Sequence, residues 1–358
     1  MITLALLLSV AAGHAAEVTE MPPALRGDIG IRFDGYRQND RLVEGVEEVG
    51  RRQIVDNQLT LAAEFSFVKG ASLFVELPRF ANTIHFPEAN VMAFDPINDG
   101  GTMVDTIALE DERTLTGAGF GGTWIGLSGA PFHEALFARR GDRSSWRFDA
   151  AYRFADRTSF WTATDGERGG GVGANAFKLT SSFSTTHKQS QPYLRATLLR
   201  AGRQTVEVRD EAGELRIQNA IIRPASRVDL RTGTELQVYR DDASGSELNL
   251  DFSASFGYRS PQTIPSGLLL PSILDASRSV LVEAAEQTYL DLGFALNSRI
   301  SEYAQLNLGA EIGTVSPQRL EHLYDVSTGF GTVSWQLFVE ARFRARDPLI
   351  KNAFTPAE

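Results

Sequence analysis

Several apolar stretches of the chain carry a charge at every second position. Arg32 and Asp34 alternate with Ile31 and Phe33, and Arg147, Asp149 and Arg153 with Trp146, Phe148 and Tyr152. Glu64, Glu76, Lys178 and Arg195 are set in the same way, as are Asp229, Arg231 and Glu235. Asp251, Asp291, Glu311, Glu340 and Arg342 complete the set, ten acids and seven bases. Charges withdrawn from bulk water must be hydrated or paired. A face built this way therefore lines water or forms an internal ion-pair network. Rings of charge tune the selectivity of a pore, and mixed signs can equally close one.

Other patterns point to chemistry less well. Gly117, Gly119 and Gly122 spell G-x-G-x-x-G, but a dinucleotide site needs a helix to follow. Thr123–Leu127 are strand formers, and glycines on a curved strand ease its bending. Beyond His14 the histidines are His85, His133, His187 and His322, all in expected connections. Asp95 and Asp325 lie near two of them in sequence, yet none has a Ser or Asp set for nucleophilic catalysis. The acidic stretch with Glu88, Asp95, Asp99, Asp105 and Glu110–Glu112 lacks EF-hand spacing. Arg-Gly-Asp occurs at Arg26–Asp28 and Arg140–Asp142, near strand starts. These readings carry no catalytic residue, cofactor or metal, and a protein that is not an enzyme is expected.

The elements that position the charges are strands of period two. Twelve are expected: 28–37, 58–68, a strand through Leu73–Leu77, 115–128, 145–154, 174–185, 193–200, 227–240, 247–256, 289–296, 305–312 and 332–346. The last alternates Trp335, Leu337, Val339, Ala341 and Phe343 against Ser334, Gln336, Phe338, Glu340 and Arg342. Such strands exceed the usual ~5–6 residues and match the ~9–11 needed to cross a bilayer obliquely. The glycines of 115–128 set no face, and a bulge there is expected as one option. Joins after strands two, six, eight and ten are short. Those after one, three, five, seven, nine and eleven are long, including an irregular stretch 80–114 and a loop 260–286 with the apolar piece Leu268–Leu274. Gln204–Asn219 reads as a polar hairpin. Tyr36, Phe67, Trp146, Phe154, Tyr258 and Trp335, near strand ends, are expected to form aromatic girdles.

Composition agrees. The 358 residues are 42% hydrophobic, carry a net charge of −10 and contain no cysteine. The acidic balance excludes a nucleic-acid binder, since no basic stripe exists. Ile2–Gly13 is apolar, too short to span, and followed by small residues. It reads as a signal peptide over 1–15, cleaved after Ala15 or Ala16, with a barrel over 16–346 and a tail over 347–358.

An even strand count, short turns at one rim, long loops at the other and an aromatic-rich last strand resemble the porin-like Gram-negative outer-membrane β-barrels. A departure is that Phe343 is not the last residue. The resemblance implies an all-β, antiparallel up-and-down transmembrane barrel in the bacterial outer membrane. It also implies partners: the lipid bilayer and lipopolysaccharide, the outer-membrane assembly machinery, and small solutes passing by diffusion, with a slight lean to cations from the excess of inward acids. Two alternatives stand beside the porin: a non-conducting barrel acting through its loops by adhesion or structure, and a hydrophobic-solute transporter with Leu268–Leu274 in its mouth. A barrel-embedded hydrolase comes after these.

Overall fold

The computed structural model describes residues 19, 24–44, 46–87, 89–94, 103–109, 113–132, 144–154, 174–187, 189–209, 215–241, 243–265, 281–321, 326–329 and 332–345. Outside them lie the expected signal peptide and C-terminal tail, His133, His322, the second Arg-Gly-Asp and Leu268–Leu274.

Twelve strands form the wall. They are β1 (Gly27–Glu44), β2 (Glu47–Val68), β3 (Ala71–Phe86), β4 (Arg113–Phe120 continued by Trp124–Phe132), β5 (Ser144–Arg153) and β6 (Ala176–Thr185). Then follow β7 (Ser190–Ala201), β8 (Arg227–Asp241), β9 (Ser246–Arg259), β10 (Gln287–Ser301), β11 (Ala304–Val315) and β12 (Thr332–Arg344). Each pairs antiparallel with its neighbour in sequence. The sheet closes where β1 meets β12, from Asp28 opposite Arg344 to Asn39 opposite Val333. The result is a closed twelve-stranded antiparallel β-barrel. Closure pairs the backbone polar groups of both would-be edges, which a sheet in hydrocarbon requires.

The two faces are sorted as the alternation dictates. Phe252, Leu292 and Leu308 are 45%, 58% and 40% exposed on the outside, while Asp251 and Glu311 are 1% and 8% exposed inside. A soluble β-protein would show the reverse. On β1 the outward series runs Ile29, Ile31, Phe33 and then turns polar at Arg37, Asn39 and Arg41. Arg37 stacks 5.4 Å over Trp335, and Arg79 lies 5.8 Å over Phe120, on the long-loop side of the apolar band. Cations beside aromatics suit an interface that is greasy on one side and wet on the other.

One rim has tight turns: Lys69–Gly70, the turn closed by mutual His187 and Ser190 backbone bonds, Ala243–Gly245 and Glu302–Tyr303. Both barrel ends lie there too, since Ala345 N donates to Gly27 O at 2.8 Å. The other rim carries extra β-structure. Gln204–Arg209 pairs with Leu215–Ile222, the hairpin expected from the sequence. Gln262–Pro265, Leu281–Ala284 and Leu320–Glu321 form a small sheet.

Four expectations are corrected. The first is the join after strand one, which is strand rather than long loop: β1 and β2 stay paired to Glu44 opposite Glu47. From Arg37 to Arg41 both faces of β1 are polar, so the ladder persists without an apolar period to reveal it. Second, the irregular stretch 80–114 contains the end of β3 and a hairpin of Ala89–Phe94 with Met103–Leu109. Third, His85 lies on β3, opposite Gln53, rather than in a loop. Fourth, Tyr36 shares its parity with Arg32 and Asp34 and faces inward, donating to Gln38 Oε1 at 2.5 Å; it belongs to no girdle.

β4 contains the bulge. Arg79 faces Phe120 and Glu76 faces Trp124, so β4 has one more residue than β3 over this interval. Gly122 absorbs it at φ +52, where an added Cβ would sit 2.5 Å from Phe154 O. The facing is thereby set: Ile125 and Leu127 are exposed outside, and Trp124 is buried inside.

Candidate functional site: the barrel interior

Inward residues of nearly every strand converge on one polar interior. On the β1–β12 seam, Arg32 pairs with Asp34 at 2.6 Å and lies 3.8 Å from Glu340, which also takes Arg342 at 3.0 Å. Gln336 adds an amide hydrogen bond to Asp34 at 2.9 Å.

Other pairs cross the interior between strands that are not neighbours. Arg147 on β5 bonds Asp149 at 2.7 Å on its own strand and reaches Glu64 on β2 at 3.1 Å. Glu64 also accepts the Ser72 hydroxyl. Lys178 on β6 reaches Glu76 on β3 at 3.2 Å. Arg231 on β8 reaches Glu311 on β11 at 2.7 Å. Glu235 accepts from Asn297 two strands away at 2.9 Å, and Asp251 from Tyr193 at 3.1 Å. Such contacts exist only because the sheet has curled until its inner face meets itself.

Cations also rest on aromatic rings. Arg153 and Lys178 lie 5.2 and 4.9 Å from the Trp124 ring centre, and Arg153 donates to Ala174 O at 2.8 Å. Arg227 pairs with Asp229 and lies 4.8 Å from the Tyr289 ring, with Arg259 5.1 Å from that ring. Arg195 on β7 has a buried Nε without a hydrogen-bond partner. Asp291 on β10 borders an internal cavity of about 40 Å³. A second cavity, of about 60 Å³, lies by the tight turns and is bordered by Gln191, Glu235, Arg240 and Asn249.

Glycines keep the wall thin where rings lie against it. Tyr289 is directly opposite Gly257, Tyr193 opposite Gly233, and Phe338 opposite Gly309. A Cβ on Gly257 would come within 2.0 Å of the Tyr289 hydroxyl oxygen, so the ring occupies the space a side chain would take.

The seventeen charged residues named above stand at alternate positions on the inner face of their strands. Tyr36, expected in a girdle, joins them, as do Arg52 paired with Asp40, Trp124, Arg227, Arg259 and Tyr289. Parity was the available signal, since Arg227 matches Asp229 and Arg259 matches Asp251. Thr19, upstream of β1, also reaches the interior, its hydroxyl 2.8 Å from that of Ser184.

Neither a protein-family model nor a curated protein sequence matches the chain. Solved structures do. An outer-membrane channel from Pseudomonas putida F1 is 9% identical, with a TM-score of 0.53 over 94% of this chain and 100% of that one. A FadL homologue from Pseudomonas aeruginosa is 10% identical over 88% and 90% of the two chains, with a TM-score of 0.41. The NanC porin is 9% identical over 87% and 98%, with a TM-score of 0.37. At such identities the likeness is one of fold, and the fold is that of outer-membrane β-barrel proteins.

Proposed function

We propose that this chain resides in the bacterial outer membrane and passes small polar solutes through its interior by passive diffusion. One observation carries the reading: the apolar side chains face out all round the barrel while charged and amide groups from its whole circumference face one enclosed space. The likeness to the P. putida fold, itself that of an outer-membrane channel, supports it.

Selectivity in this reading is weak. At least seven of the ten inward acids are ion-paired: Asp34, Glu64, Glu76, Asp149, Asp229, Glu311 and Glu340. The further inward bases Arg227 and Arg259 offset part of the acid excess, so the lean to cations is slight. Residues 1–15 act as a cleaved export signal in this account, and assembly proceeds through the outer-membrane machinery.

A second reading has a specific basis. The cross-interior pairs Glu64–Arg147, Glu76–Lys178 and Glu311–Arg231 narrow the passage, as a non-conducting barrel would require. Planar-bilayer recording decides between the two. Discrete conductance steps from purified protein are expected, and silence at all voltages would remove the channel.

A further inference from the structure

Beyond the apolar band, on the long-loop side, the outer surface of β1–β3 is basic, although the chain as a whole carries a net charge of −10. Arg37 and Arg41 project outward from β1, Arg51 from β2 and Arg79 from β3. Arg41 stands directly opposite Arg51 in the ladder, and their side chains are 68% and 67% exposed. Glu48 is the one acid among the side chains described on this face. It pairs with Arg51 at 2.6 Å and lies 3.8 Å from Arg41, so two guanidinium groups share one carboxylate. Four cations against one anion leave an excess of three positive charges. Like charges directly opposite each other weaken an antiparallel pair, and Glu48 offsets only part of that. The face asks for a further anion from outside the chain.

What lies beneath it is apolar. Ile31 and Phe33 on β1, Leu59 and Leu61 on β2 and Leu77 on β3 are each more than 40% exposed on the same strands. At the boundary Arg37 lies over Trp335 and Arg79 over Phe120. The surface is therefore amphipathic, and its partner must be an amphiphile with an anionic head.

Guanidinium groups take phosphate bidentately, which makes them the favoured partners of that anion. Arg37 and Arg41 are four residues apart, about 13 Å along the strand. A head carrying two separated phosphates meets both positions, whereas a head with one phosphate meets only one.

We propose that this face docks the bisphosphorylated lipid A headgroup of lipopolysaccharide. One phosphate lies between Arg41 and Arg51, Arg37 takes the other, and the acyl chains cover Phe33, Leu59 and Leu77. The surface rests on residence in the outer membrane, whose outer leaflet is lipopolysaccharide, and not on conduction.

The test is native mass spectrometry of the full-length barrel, titrated in detergent with bisphosphoryl lipid A, monophosphoryl lipid A and phosphatidylglycerol. Bisphosphoryl lipid A is expected to bind at least fivefold more tightly than either of the others. The double variant Arg41→Gln with Arg51→Gln, and separately Arg37→Gln, should each weaken it at least fivefold while the barrel keeps its mobility shift on boiling. Arg200→Gln, exposed at the long-loop end of β7, should leave it unchanged. Equal binding of the three lipids would reduce the surface to a general attraction for anions. Affinity unchanged in the β1 and β2 variants would place lipid A elsewhere, and either result overturns the proposal. Fractionation of cells that make the protein separates this failure from that of the premise. A chain in the outer-membrane fraction that binds no lipid A refutes the surface alone. A chain in any other fraction removes the residence on which surface and channel both rest.

Discussion

Arg231 on β8 and Glu311 on β11 meet at 2.7 Å, although two strands, β9 and β10, separate them in the sheet. Both side chains are more than nine-tenths buried. The pair therefore bridges the interior rather than the wall, with Ser253 on β9 accepting a further Arg231 hydrogen bond at 2.7 Å.

Removing one partner of a buried pair strands the other charge, typically at about 3–5 kcal/mol. Arg231→Met is expected to lower the unfolding free energy by roughly 3 kcal/mol on that basis. The double variant Arg231→Met with Glu311→Met should recover much of the loss. Urea unfolding in lipid vesicles measures both. Additive losses would show that the two residues are not coupled.

The outward face makes a separate demand. Phe294 sits midway along the outward apolar series of β10, between Leu292 and Leu296, and is 47% exposed. An arginine near the bilayer midplane of a barrel costs about 2–4 kcal/mol. Phe294→Arg should cost about that much, whereas Tyr239→Arg, by the tight-turn rim, should cost at most about 1 kcal/mol. The same vesicle unfolding assay separates them.

Gly122 predicts a strain effect in β4. Its φ of +52 and the 2.5 Å approach of a would-be Cβ to Phe154 O leave no room for alanine. Gly122→Ala should destabilise the barrel by about 1–3 kcal/mol. Gly129→Ala, where an added Cβ meets nothing within 4 Å, should be close to neutral.

At the turn after β8, the Ser244 hydroxyl and the Ala243 backbone N–H both donate to Asp241, holding its carboxyl below the usual carboxylate range. The folded turn favours the charged form, so its contribution is present above the ordinary carboxylate range. It is lost as pH falls through the lowered value. Carbonyl-carbon NMR titration of Asp241 should show that lowered midpoint, and Ser244→Ala should move it back up.

Much of this fold was legible because lipid enforces a strict period. On β10, Leu290, Leu292 and Phe294 alternate with Asp291 and Gly293, and the strand could be read at sight. Where lipid ends, so does the signal: the stretch of β1 with Arg37, Gln38, Asn39 and Asp40 is polar on both faces yet stays paired to β2. The facing of β4 was hidden by glycines and by a bulge that shifts parity between Phe120 and Trp124. Tyr36 was misplaced because an aromatic near a strand end suits a girdle, although its parity with Asp34 pointed inward. For the interior, parity found the charges, but not which would meet. Arg147 with Glu64 and Lys178 with Glu76 depend on curvature that no local pattern encodes. The cavity beside Arg259 depends on it as well.

The sorting of faces is tested most directly by single nitroxide labels, which a chain without cysteine accepts cleanly. Labels at Phe252→Cys and Leu292→Cys should show high oxygen and low nickel-chelate accessibility in vesicles, and a label at Ser255→Cys low oxygen accessibility. Equal values at the three positions, or the reverse order, would contradict a barrel that turns its apolar face to lipid and its charges inward.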